Sequence, residues 1–181
     1  MIRLLDTNDW EIYKTIRLEC IKNTPWSFGA RYADEVLKDD QYWYNTLANP
    51  LRRIFGFFVN NQIVAMGGLS LPEMKISPYA GKSQPIVRVN NHAIQNSKTM
   101  IVSVYCNPMS RGNGYINQLL QHIIVQQHST HSGDLYLAVE KNNLPAISLY
   151  QKLGFVYVEE LPSRMMGDGN IHEEILMGLV R

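Results

Sequence analysis

Cysteine is scarce: the 181 residues include two, Cys20 and Cys106, and their separation suits neither a metal site nor a redox pair. This argues against a disulfide scaffold or a zinc ribbon, and reduced, packed thiols are expected. A charge excess of either sign is also missing. Seventeen Lys and Arg face sixteen Asp and Glu, so the chain lacks the basic surplus of most nucleic-acid binders. No apolar run approaches the roughly 20 residues of a membrane span, and Met1-Ile2-Arg3 opens no signal peptide. Internal repeats and low-complexity tracts are missing as well. Neither nucleic acid nor membrane is an expected partner, and the cytoplasm is the expected location.

What remains is an ordinary globular balance, 45% hydrophobic and 18% charged, enough for a real core in one domain over residues 1–181. Ile2 to Leu5 reads as a strand. Asn8 with Glu11 three residues on resembles a capping box for a helix to about Ile21. Residues 23–35 read as an aromatic-rich loop. A second helix restarts at Asp39 or Asp40 and runs to Ala48, where Asn49-Pro50 ends it. Ile54 to Val59, Asn60-Asn61 and Ile63 to Leu71 form a predicted hairpin. Residues 72–98 are polar with three prolines and one β-like piece, Ile86 to Val89; so long a connection is a functional excursion rather than core. Met100 to Cys106 is a strand with little alternation, as expected when both faces are buried. Leu135 to Val139, Phe155 to Leu161 and Ile171 to Val180 are further strands, the last two an antiparallel pair joined through 163–170. Asn143 to Leu153 is a helix closed by Gly154. The order describes an α/β mixed sheet.

The most informative stretch is 105–120, YCNPMSRGNGYINQLL. A strand exit is followed by a Pro-marked turn, Arg111, two glycines and a helix. Ile116, Leu119, Leu120, Ile123 and Ile124 make one apolar stripe along that helix, so Ile116 should point toward the sheet. A helix mouth leaves N–H groups unpaired and carries partial positive charge. Gly112 and Gly114 let an anion approach the backbone, and Arg111 adds a full charge. On this fragment alone, a tight strand-to-helix turn with no ligand accounts for the glycines equally well. His128 and His131 have helix-like metal spacing but no third ligand nearby, and read as a polar helix end, so no metal is expected.

Two motifs together resemble the GNAT family of N-acetyltransferases. The first is Arg111-x-x-Gly114-x-Ile116 after Tyr105 and Pro108. The second is Asn143, Ala146, Leu149, Tyr150, Lys152, Gly154 and Phe155 at the spacing N-x-x-A-x-x-L-Y-x-K-x-G-F. The match covers residues 100–160, and the element order agrees over the whole chain. The resemblance implies a mostly antiparallel twisted sheet of about seven strands flanked by helices, with a splayed central parallel pair. It implies acetyl-CoA as co-substrate, with direct transfer of its acetyl group to an amine. Val104, Tyr105 and Cys106 would pair with the pantetheine arm. Arg111, Gly112, Asn113, Gly114, Tyr115, Ile116 and Asn117 would hold the pyrophosphate. Asn143 would meet a CoA amide or serve as a plain N-cap, and Tyr150 would be the acid near sulfur or a buried aromatic. Trp26, Phe28, Tyr32, Tyr42, Trp43 and Tyr44 lie where relatives place the acceptor wall, although aromatics also pack as core there; Phe28 and Tyr32, with Glu140, are the candidate substrate contacts.

The reaction makes a demand that can be counted. A primary alkylamine with pKa about 10.4 is neutral in roughly one molecule in 2,500 at pH 7, so freeing its lone pair costs ~4.6 kcal/mol. Some relatives supply a base where this chain has Ala138. Glu140, Glu35, Glu73 and a water relay are the alternatives. The acceptor is expected to be a small-molecule amine, with a peptide or protein amine as the second reading and a non-catalytic CoA-binding module as the third. A homodimer is one assembly open to the chain.

Overall fold

The computed structural model describes residues 1–72, 98–130 and 133–180. Within these residues seven strands form one sheet in the order β1-β2-β3-β4-β5-β7-β6. The strands are β1 (Ile2–Leu4), β2 (Arg52–Val59), β3 (Gln62–Ser70), β4 (Thr99–Cys106), β5 (Leu135–Glu140), β6 (Val156–Met165) and β7 (Ile171–Leu179). Five helices accompany them: α1 (Trp10–Asn23), α2 (Tyr32–Glu35), α3 (Asp40–Ala48), α4 (Tyr115–Thr130) and α5 (Leu144–Lys152). All neighbouring strands are antiparallel except β4 and β5, which run parallel. The mixed sheet with a central parallel pair is the expected architecture. Much of the 72–98 excursion, with Ile86 to Val89 and Glu73, lies outside the described residues, as does His131.

Each face of the sheet carries its own core. On one side Leu119, Leu120 and Ile123 of α4 and Tyr150 of α5 pack with Phe55, Phe57, Leu69, Leu135 and Leu137. Ile116 packs against that cluster, as the apolar stripe requires. On the other side Tyr13, Ile16 and Cys20 of α1 and Trp43 of α3 pack with Ile54, Phe58, Met66 and Tyr105.

Local chemistry explains most boundaries and corrects some of them. The capping box is Asp6 with Asp9, not Asn8 with Glu11. The chain leaves β1 and makes a 3₁₀ turn at Thr7–Asp9, so capping falls at the start of that turn. Asp9 then serves twice, accepting from the Asp6 N–H at 3.0 Å and from Arg3 Nη2 at 2.7 Å. The 23–35 stretch is less irregular than a loop, with a 3₁₀ turn at Pro25–Ser27 and the single-turn α2. Asn60 and Asn61 both take positive φ, 48° and 62°, the turn geometry that matches the twist of a two-residue hairpin. The last hairpin is longer than the apolar pattern suggests. β6 continues to Met165 because Arg164 pairs across the ladder with His172 and reaches the buried Glu174 carboxylate.

Candidate active site

The first half of the site is the mouth of α4. Its first helical backbone bond runs from Gln118 N to Gly114 O at 3.1 Å, leaving the N–H groups of Tyr115, Ile116 and Asn117 at the opening. Gly112 and Gly114 take φ of 81° and 74°, a conformation that side chains resist and glycine adopts freely. A Cβ at Gly112 would meet nothing within 4 Å, so the loop presents bare backbone to open space. Asn113 Nδ2 ties the loop to Ser110 O at 3.1 Å, and Arg111 Nε donates to Cys106 O at 3.2 Å. A preformed donor array, a helix dipole and a guanidinium alongside fit a diphosphate.

The second half is a gap beside β4. The parallel ladder to β5 holds only Thr99 opposite Leu135 and Met100 opposite Tyr136. Beyond Met100 the two strands separate. The cause is a β-bulge: the register against β3 shifts between Met66 and Gly68, and Ser103 sits at φ 57°. The extra residue reverses the side-chain phase. Ile101 and Val104 face α4, whereas Tyr105 faces α1. The weak alternation of 100–106 therefore reflects a phase change as well as burial.

Asn143 and Tyr150 belong to the N-cap and body of α5, and Tyr150 packs into the core cluster that α4 shares. Asn143 Oδ1 caps the helix by accepting from Ala146 N at 3.3 Å. Tyr150 is 6% exposed, edge-on to Phe155, and burial pushes its phenol well above the ordinary tyrosine value. It therefore stays a proton donor throughout the neutral range. Burial also raises both thiols, Cys20 to about 12, while nearby Arg111 only partly offsets the rise at Cys106. Neither is poised as a thiolate nucleophile.

On the opposite face the β4 end meets α1 in a polar cluster. Glu19 Oε1 accepts from the Tyr105 hydroxyl at 2.8 Å and from Asn107 Nδ2 at 2.7 Å, while Asn23 Nδ2 donates to the Tyr105 oxygen at 2.9 Å. Desolvation, reinforced by Glu19 against the opposing Asn23, pushes the Tyr105 phenol up. The α1–α2 and β6–β7 loops touch through their backbones. Gly167 N donates to Phe28 O at 2.7 Å, and a Cβ at Gly167 would lie 2.3 Å from Ala30 O, so only glycine allows this approach. Arg164 fills the space under Gly29 and makes a two-point contact with Glu174, which is 5% exposed. His172 stands between Asp168 at 2.9 Å and Glu140 at 3.9 Å.

The acetyltransferase (GNAT) family model matches residues 18–155. The chain belongs to the GNAT family. Solved GNAT structures superpose over almost the whole chain. A ribosomal-protein-alanine N-acetyltransferase from Brucella melitensis gives a TM-score of 0.72 at 18% identity, covering 100% of this chain and 99% of its own. An N-acetyltransferase from Staphylococcus aureus Mu50 gives 0.69 at 21% identity, covering 99% and 97%. A putative acetyltransferase from Salmonella typhimurium, solved with its cofactor acetyl-CoA, gives 0.69 at 16% identity, covering 99% and 92%. Among curated proteins, none matches the sequence significantly.

As a GNAT member the chain is an acyltransferase with acetyl-CoA as co-substrate. The structure brings Arg111 through Asn117 together at one helix mouth and sets Val104 and Cys106 on the side of the sheet that carries α4 and α5. The Tyr105 side chain turns to the other side, toward α1. Phe28 lies under the Arg17 guanidinium, 4.9 Å from Cζ to the ring centroid, and Tyr32 lies at the start of α2 beside Lys22. Glu140 spends both oxygens on Asn142, accepting from its N–H at 2.9 Å and its Nδ2 at 3.0 Å, and so holds the β5–α5 turn. Glu19 was missed by sequence reasoning. It lies 86 residues from Tyr105 along the chain, and no local pattern links a mid-helix glutamate to that strand. Among the described residues no three His, Cys, Asp or Glu side chains are grouped to hold a metal, and no helix is long and apolar enough to cross a membrane.

Proposed function

We propose that this GNAT enzyme acetylates the primary amine of a small molecule by direct transfer within a ternary complex. The carrying observation is the splayed β4–β5 pair, with an unpaired N–H array at one end and a polar, carboxylate-bearing cluster on the opposite face. When bound, acetyl-CoA supplies a thioester carbonyl open to attack. The protein's part is positioning and proton traffic. Backbone N–H groups from Gly112 to Asn117, with Arg111, hold the diphosphate; such charge-assisted bonds contribute about 1.5–3 kcal/mol each. Backbone groups of Val104 to Cys106, left without a β5 partner, line the gap for the pantetheine arm, and one of their N–H groups holds the developing oxyanion. Tyr150 donates its proton to the departing sulfur, and Asn143, once its Oδ1 has capped α5, retains its Nδ2 for a CoA carbonyl.

Glu19 is the base in this proposal. Tyr105 and Asn107 fix one of its oxygens at the β4 end, and the other is left to take the amine proton directly or through water. The bridge from Phe28 to Gly167 supports a compact acceptor, because it ties the α1–α2 and β6–β7 loops together where an extended peptide would need them apart. Phe28 and Tyr32 then flank the acceptor, while Glu140 supports the wall through the β5–α5 turn. A chain terminus also fits under such a bridge, and two of the similar folds belong to ribosomal-protein-alanine N-acetyltransferases. A cytoplasmic setting belongs to the same proposal and is supported by the two unpaired cysteines. The test is thiol release from acetyl-CoA against a panel of small amines, peptides with free N-termini, and N-blocked peptides carrying lysine. Turnover with small amines and none with the N-blocked peptides is expected. Exclusive turnover of the N-blocked lysine peptides would overturn the acceptor assignment.

A further inference from the structure

A cleft of about 420 Å³ opens between α1, α2, α3 and the start of β2, and none of the residues given a role in the proposed transfer lines it. Tyr13, Arg17, Glu35, Tyr42, Asn45 and Arg52 are among its walls. Neither arginine forms an ion pair with a described residue; the acids in this region are engaged elsewhere, Asp40 with Lys14 and Asp34 with Arg31. Nη1 of Arg17 is sealed from solvent with no hydrogen-bond acceptor. The nearby Cys20 thiol interacts with the Arg17 side chain, but sulfur is too weak an acceptor to satisfy a guanidinium. The Phe28 ring lies against this guanidinium. Arg17 and Arg52 both act on the hydroxyls of Tyr13 and Tyr42, opposing the rise that burial imposes, so the two cations share one space. Glu35, also on the wall, accepts from the Tyr42 hydroxyl at 3.4 Å.

We propose that this cleft binds the carboxylate of a small organic anion through Arg17 and Arg52. Two guanidiniums that line one cleft and have no carboxylate paired with them among the described residues are the arrangement that an incoming carboxylate satisfies by charge-assisted bonds. Two guanidiniums against the single Glu35 carboxylate leave a formal +1 on the walls, the match for a singly charged carboxylate rather than a phosphate dianion. The phenols of Tyr13 and Tyr42 provide aromatic walls for its organic part. The carboxylate belongs either to the acceptor itself or to a separate small ligand, and the experiment separates the two.

Thermal unfolding of the intact protein is followed in sodium acetate, succinate and benzoate, each against sodium chloride at equal ionic strength. A saturable rise in Tm is expected for at least one carboxylate, about 5–10 °C at one hundred times its Kd. It should vanish in Arg52→Gln, whose exposed position spares the fold, and in Arg17→Gln. No rise beyond chloride, or an equal rise in both variants, overturns the proposal. The second arm rests on the acetyl-transfer reading and compares matched amines with and without a carboxylate. If Arg52→Gln loses at least tenfold in kcat/KM only for the carboxylate-bearing partner, the anion is part of the acceptor. An unchanged ratio with a lost Tm rise assigns a separate ligand. If no amine turns over, the acetyl-transfer reading fails, while the thermal arm still decides the cleft.

Discussion

Replacing Gly114 by Asp probes the diphosphate grip directly, because the new side chain meets open space and a matched Asn variant shares its backbone strain. A Cβ there would find its nearest neighbour, Gln118 Nε2, at 3.9 Å, so no clash arises. The backbone at φ 74° disfavours most side chains, but Asn and Asp enter this region more readily than others. Gly114→Asn is therefore the matched control, equal in shape and neutral. A carboxylate about 7 Å from each of two diphosphate charges costs about 0.6 kcal/mol per charge at the dielectric of water, and about 1.2 at half that value. The total of about 1.2–2.4 kcal/mol corresponds to a Kd for CoA raised roughly 8- to 60-fold over the Asn variant. Salt supplies the second signature. At 1 M the screening length falls to about 3 Å, and the Asp-to-Asn ratio should shrink toward unity. Calorimetric titration of CoA at 0.05 and 1 M NaCl measures both effects. Equal affinities of the two variants at low salt would refute the placement of the diphosphate at this helix mouth.

Three further expectations can be checked with purified protein. Tyr150→Phe should lower kcat about 100-fold with little change in acetyl-CoA affinity. Since burial raises that phenol, wild-type kcat should show no loss from this acid up to pH 9, and a decline centred near pH 8 would remove Tyr150 from the role. Glu19→Gln, which keeps the acceptor for Tyr105 but loses the charge, should cut turnover by about two orders of magnitude while CoA titrations stay as in wild type; full activity would return the base to another group. Arg164→Met should strand the Glu174 carboxylate, 5% exposed, and destabilise the protein by about 3 kcal/mol, or roughly 6–12 °C in Tm.

The GNAT assignment was legible because both motifs are local. Arg111 to Asn117 is a contiguous loop and helix start, and Asn143 and Tyr150 share one face of a helix, so spacing alone joined them. The same holds for the α4 stripe and the Asn60-Asn61 hairpin, whose physics is written in neighbouring residues. Capping was misplaced by two residues because Asn8 and Asp6 both suit an N-cap, and only the 3₁₀ turn after β1 selects between them.

Contacts across the fold were a different matter. Whether Tyr105 faces α4 or α1 depends on the one-residue bulge at Ser103, set by the register with β3 more than thirty residues earlier. That phase change brings Tyr105 to Glu19, and the backbone approach of Gly167 to Phe28 joins loops from opposite ends of the chain. The sequence by itself determined the longer helices, the hairpin and the glycine-marked start of α4, since each follows from periodicity or backbone freedom within a few residues. Only the tertiary structure decided the Tyr105–Glu19 cluster and the Phe28–Gly167 bridge, because a strand's side-chain phase and a meeting of distant loops depend on the whole sheet.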